Sequence, residues 1–111
     1  VLRLALTVQG ARTLKDRRQT VASIGDRLRH RFPVTFHEIG TGDDPTRQVV
    51  VITTAGNDPR LLRSVLDQCV ALVHAHPVAN AAEVDLDVFR WHPSREDWAA
   101  RRMAELGSGE E

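Results

Sequence analysis

The stretch from Thr13 to Phe32, TLKDRRQTVASIGDRLRHRF, constrains the fold more than any other part of the chain, because it combines the clearest helical periodicity with most of the positive charge. From Leu14, the apolar positions Val21, Ile24, Leu28 and Phe32 fall within about 80° of one another at 100° per residue, which makes a single core stripe. Thr13 reads as an N-cap, with Asp16 three residues on resembling a capping box, and Pro33 stops the helix. A helix with one apolar stripe must lay it on something. Gly25, beside the stripe, costs about 1 kcal/mol relative to Ala, so either the helix passes close to a sheet there or the glycine is simply tolerated.

The flanking segments supply the sheet. Residues 1–9 alternate, with Leu2, Leu4, Leu6 and Val8 on one side and Arg3, Ala5 and Thr7 on the other, as in a half-buried strand. Val34 to Ile39 reads as a second strand, the turn-rich GTGDDP follows, and Gln48 to Thr54 reads as a third. Its run Val49, Val50, Val51, Ile52 is apolar on both faces, which predicts a central strand covered on both sides. Asp58-Pro59 marks a second helix running to about Ala75, whose apolar residues sweep roughly half its circumference, more than one sheet face requires. Something else is expected to cover its flank. Glu83 to Trp91 alternates again as a fourth strand, with Val84, Leu86 and Val88 facing in. Ser94 with Asp97 then caps a short helix in which Ala99, Met103 and Leu106 share a side and Gly107 ends it. The order β-α-β-β-α-β plus a C-terminal helix predicts an α+β, ferredoxin-like sandwich, a four-stranded antiparallel sheet with both helices on one face. The expected division is a domain over 1–91 and a C-terminal helix with a loose acidic tail over 92–111.

At 111 residues the chain fits one domain, and no apolar run approaches the ~20 residues that span a bilayer. Arg3 interrupts the apolar start, so the opening is not read as a signal peptide. The single cysteine, Cys69, permits no internal disulfide, which fits a reducing cytosol. The net charge of zero hides an asymmetry: residues 1–32 carry eight Lys/Arg against two acids, a balance of +6 that leaves −6 for the rest.

Several residues also carry a resemblance. The segment Gly10–Phe32, with Leu14-Lys15-Asp16-Arg17-Arg18 and Asp26-Arg27-Leu28, and the later NDPRLLRSVLDQCVALVHAHP, with Asn57-Asp58, resemble the YlxP-like family of small bacterial proteins of unknown function over residues 2–90 or so. The resemblance implies a ferredoxin-like fold and a cytoplasmic protein. It also implies association with the ribosome or RNA, since family genes often lie among those for translation initiation and ribosome maturation. The loop GTGDDPTRQ departs from the family in having no aromatic residue, and the tail from His92 lies outside the resemblance.

The candidate site residues follow from charge and exposure. Lys15, Arg18, Arg27, Arg29 and Arg31 on the first helix, with Arg12 just before it, form a basic surface that suits phosphate, because a guanidinium donates a bidentate fork. The bland reading is a solvated face whose arginines pair with Asp16, Asp26 and the acidic remainder. Base stacking on the sheet is not expected, because the open face of the first strand offers Arg3, Ala5 and Thr7, and Glu83, Asp85 and Asp87 beside it would repel phosphate. That face is apolar in its middle, so Val49, Val51, Phe89 and Trp91 are candidates for a protein interface in a homodimer, unless Trp98, Met103 or Leu106 folds back over it.

Catalytic signatures are absent from the sequence. His74 and His76 lie about 200° apart on a helix, and His76 with Cys69 gives too few ligands for zinc. Asp43 and Asp44 lack calcium-loop spacing, and no nucleophile elbow, phosphate loop or dinucleotide fingerprint occurs. Thr53 and Thr54 precede a turn without an evident base. The sequence therefore predicts no cofactor, no membrane contact and no small-molecule substrate. Three functions remain in order: a non-enzymatic binding protein for RNA or a ribosomal particle, a homodimerising interaction module, and a small enzyme with its site at a dimer interface.

Overall fold

The structure is a computed structural model that describes residues 1–40, 43–90 and 101–107. Its elements are β1 (Leu2–Val8), α1 (Leu14–Arg31), β2 (Thr35–Ile39), β3 (Arg47–Thr53), α2 (Pro59–His74) and β4 (Ala79–Leu86). One sheet with strand order β2-β3-β1-β4 and antiparallel pairing throughout carries both helices on one face. This is the ferredoxin-like α+β arrangement, followed by a helical segment over residues 101–107.

The core is built by period 2 meeting period 3.6. Leu2, Leu4, Leu6 and Val8 of β1 and Val50 and Ile52 of β3 point to the helix side, where they meet Val21, Ile24 and Leu28 of α1 and Leu66, Cys69 and Val73 of α2. Each is essentially removed from water, and truncating a leucine in such a site costs about 2–5 kcal/mol.

The helix ends are closed as the sequence implied. Asp16 donates its backbone N–H to the Thr13 hydroxyl at 3.1 Å, and its carboxylate accepts the Arg12 N–H, also at 3.1 Å. The second helix is capped by the Asp58 carboxylate, which accepts the Arg60 N–H at 3.0 Å, with Pro59 at the first helical position.

Gly25 is a close approach. A Cβ there would lie 2.6 Å from Cδ1 of Phe36, so only glycine lets α1 settle on β2 at this point.

Three expectations change. The fourth strand spans Ala79–Leu86, not Glu83–Trp91. It ends where its partner begins, with Leu86 opposite Leu2 and the Asp87 N–H donating to the Val1 carbonyl at 2.8 Å. At its start, Ala79, Ala81 and Ala82 carry little hydrophobic contrast, and a register shift between Ala5 and Leu6 breaks the alternation. β3 is central, yet helices cover only one of its faces, and Val49 and Val51 are half-buried. The flank of α2 is covered only in part among the described residues: Leu61 is 61% exposed and Leu62 and Val65 are half-buried, while Val70 and Leu72 pack against the core. The cap at Ser94 and Asp97, and Trp91 and Trp98, lie outside the described residues.

Candidate functional site

The basic residues of α1 form two groups. Arg12, Lys15 and Arg18 stand at its N-terminal end and Arg27, Arg29 and Arg31 at its C-terminal end, all exposed. Lys15 and Arg27 are separated by about 18 Å along the axis at 1.5 Å per residue. Between the groups the exposed positions are Gln19, Ala22 and Ser23, which carry no charge, and Asp26, which is acidic. The helix has no continuous cationic stripe.

The two groups have different surroundings. At the C-terminal end, Asp26, Arg27, His30 and Arg31 line a groove of ≈ 740 Å³ whose other wall is Leu72 and Ala75 at the end of α2. Arg29 is turned away from this groove's lining: it donates to the Asp26 carboxylate at 2.6 Å, and its guanidinium lies 5.7 Å from the centroid of the Phe36 ring. Arg31 lies 5.8 Å from the Phe32 ring, within reach of a cation–π contact. Neither Arg27 nor Arg31 has a carboxylate within 4.0 Å among the described residues, and the same holds for Arg12, Lys15 and Arg18 at the other end. The bland reading, arginines neutralised by nearby acids, therefore fits Arg29 alone.

One arginine absent from the candidate set proves structural. Arg17 is only 6% exposed, and its guanidinium donates to the carbonyls of Asp44 at 2.8 Å and Arg47 at 3.3 Å, tying α1 to the β2–β3 connection. Its signal was present in the sequence: Arg17 falls between Leu14 and Val21 at core spacing, on the apolar stripe itself. Asp44 is shaped by the same connection. Its carboxylate accepts from the Thr46 hydroxyl at 2.6 Å and the Thr46 N–H at 2.8 Å, and these bonds hold it below the usual carboxylate range. Asp16 is held low as well, chiefly by the Arg12 N–H.

The open sheet face is narrower as a protein surface than the sequence suggested. Ala5 lies on that face, yet it is only 8% exposed. Its cover is ionic. Arg3 pairs with Asp85 across β1 and β4, and Arg47, opposite Thr7, reaches over β1 to Glu83, opposite Ala5, at 3.9 Å. These acids are thus partnered rather than bare. The apolar remainder is Val49 and Val51 on β3 beside Ile39 on β2, which is 46% exposed. Phe89 is 63% exposed but lies beyond the end of β4, so it does not extend the face as an alternating strand residue. Trp91 lies outside the described residues. Met103 and Leu106, expected as possible cover, are themselves exposed. No Phe or Trp stands on the open face among the described strand residues, so it offers no platform for stacked bases.

The histidine and cysteine candidates are also placed. Cys69 is fully buried, and burial pushes its thiol up to about 11. His76 Nδ1 accepts the Val78 N–H at 3.2 Å, closing the turn into β4. Among the described residues, no group of three or more His, Cys, Asp or Glu is placed to hold a metal ion, and no helix is long and apolar enough to cross a membrane.

The family described as "Protein of unknown function (DUF503)" matches residues 1–86, which run from the start of the chain to the last residue of β4. The chain belongs to the DUF503 family. The match encloses all six elements of the sandwich and stops before the C-terminal helical segment. No curated protein matches the chain.

Proposed function

We propose that this protein is a non-enzymatic, cytoplasmic binding protein that engages RNA, free or within a ribosomal particle, through the exposed basic residues of α1. The observation that carries the reading is the set of five exposed cations, Lys15, Arg18, Arg27 and Arg31 on α1 and Arg12 just before it, whose charged groups have no carboxylate within 4.0 Å among the described residues. A cationic surface left open in this way attracts a polyanion and releases its counterions on contact. The resemblance to YlxP-like proteins supports the same partner class and location. Filter binding of structured RNA across a salt series tests it. Affinity should fall steeply with salt, and reversing charge at Arg27 and Arg31 should flatten that dependence; binding that ignores salt would refute the reading.

A second reading, homodimerisation through the open sheet face, rests on Val49, Val51 and the exposed Ile39. It predicts a dimer in light scattering that Val51→Asp converts to monomer. A monomer at all concentrations would remove it.

A further inference from the structure

Of the two basic ends of α1, the C-terminal one lines a groove. Charge alone does not distinguish them, since each end presents arginine to solvent. The C-terminal end has, in addition, a concavity of ≈ 740 Å³, a size usual for clefts that take small ligands, and an apolar wall contributed by a different helix.

We propose that the groove between α1 and the end of α2 holds a short single-stranded segment of RNA, its phosphates on Arg27 and Arg31 and an unstacked base against Leu72 and Ala75. This deepens the RNA reading above and rests on it.

Three features of the groove favour a single strand. Arg27 and Arg31 are four residues apart, so their side chains rise from one face of α1 with Cβ atoms about 6 Å apart, close enough to fork one phosphate or bracket two. Leu72 and Ala75 would be wasted on phosphate, which gains nothing from apolar surface; a splayed base has a face to lay on them, and a duplex keeps its bases inside. Arg31 is held against Phe32 and His30 stands in the lining, so a guanidinium plane and an imidazole ring are both at hand for stacking.

Two charges oppose the proposal and are weaker than those that favour it. Asp26 lines the groove, but Arg29 holds its carboxylate at 2.6 Å and takes up much of its field. The negative end of the α1 dipole also points here, equivalent to about half a charge. Against them stand Arg27 and Arg31 within the lining, each a full positive charge.

The experiment compares single-stranded and hairpin RNA of matched length and composition, by fluorescence anisotropy, on the full chain. Three variants accompany the wild type: Arg27→Gln with Arg31→Gln, Lys15→Gln with Arg18→Gln, and Ala75→Glu. All lie at exposed positions, and unchanged thermal unfolding checks that each folds. The single strand should bind more tightly than the hairpin. The Arg27/Arg31 pair should weaken it by ~10-fold or more and lower the salt slope by nearly 2, as two lost phosphate contacts require. Ala75→Glu should weaken the single strand in preference to the hairpin, whereas the Lys15/Arg18 pair should change the affinity of the single strand by less than about 3-fold.

Equal losses from the two arginine/lysine pairs would overturn the groove while leaving RNA binding by the whole helix intact. Hairpin binding as tight as the single strand, or displacement of RNA by polyglutamate without regard to Ala75, would overturn the role of the base. Absence of all RNA binding would overturn the parent reading and this one with it.

Discussion

The two ends of α1 carry similar charge in different surroundings. At the N-terminal end the helix is fastened: Thr13 and Asp16 close the first turn, and Arg17 is sunk to the carbonyls of Asp44 and Arg47. Its exposed cations project from this fixed base. At the C-terminal end, Gly25 lets the helix settle on Phe36, and the exposed arginines meet the last turn of α2 across a groove. The difference teaches that charge on a helix becomes a site only where a second element gives it a wall. The same contrast appears between Arg29 and Arg31, two residues apart, one held by Asp26 and the other lining the groove.

The largest effect expected from probing this comparison is at Arg17. Arg17→Met keeps the apolar stem but removes the donor from two carbonyls beneath the helix, and should destabilise the protein by about 2–3 kcal/mol in urea unfolding. Arg18→Met, one residue on and exposed, should change stability by less than about 0.5 kcal/mol. Equal effects would mean that Arg17 anchors nothing.

Gly25→Ala sets two terms against each other at the opposite end. The helix gains about 1 kcal/mol from alanine, while forcing a methyl to 2.6 Å from a buried ring costs about 1–3 kcal/mol. The clash should win, giving a net loss of about 1 kcal/mol, and Phe36→Leu in the same chain should reverse the sign. A stabilised Gly25→Ala single variant would show that the helix lies further from β2. Thr13→Ala should cost about 1 kcal/mol by opening the N-cap, measured as a lower thermal midpoint.

The smallest effects concern protons. The buried Cys69 thiol stays protonated until about pH 11, whereas in the unfolded chain it ionises near 9.0. Stability should therefore fall as pH rises between those values, and the native protein should resist a thiol reagent at pH 8 until denaturant is added. Asp16 and Asp44 act in the opposite direction: both are held low, so their contribution is present above the ordinary carboxylate pKa and is lost as pH falls through their folded values. Asp16→Asn and Asp44→Asn together should flatten the acid limb of stability.

Much of the architecture was legible because each element has a strong local signal. The alternation of β1, the stripe of α1, the Asp58-Pro59 start of α2 and the order of elements all survive in the structure. The difference at β4 has a plain cause: Ala79, Ala81 and Ala82 give no contrast between faces, so alternation shows only from Glu83, where valine and leucine begin to alternate with acids. For the site, Arg17 differs from Arg18 by its place on the apolar stripe, whereas no local signal separates Arg29 from Arg31, since two exposed residues of one type differ only in what they face.

What the sequence determined alone was periodicity, and with it the number, order and kind of elements and the apolar side of each. What only the tertiary structure decided was adjacency: that Phe36 sits under Gly25, that Arg47 reaches Glu83 across β1, and that Leu72 and Ala75 stand opposite Arg27 and Arg31. The physical reason is range. Helical and strand periods arise from neighbours a few residues apart, whereas the groove joins residues more than forty positions apart, and that separation closes only when both helices pack on the same face of one sheet.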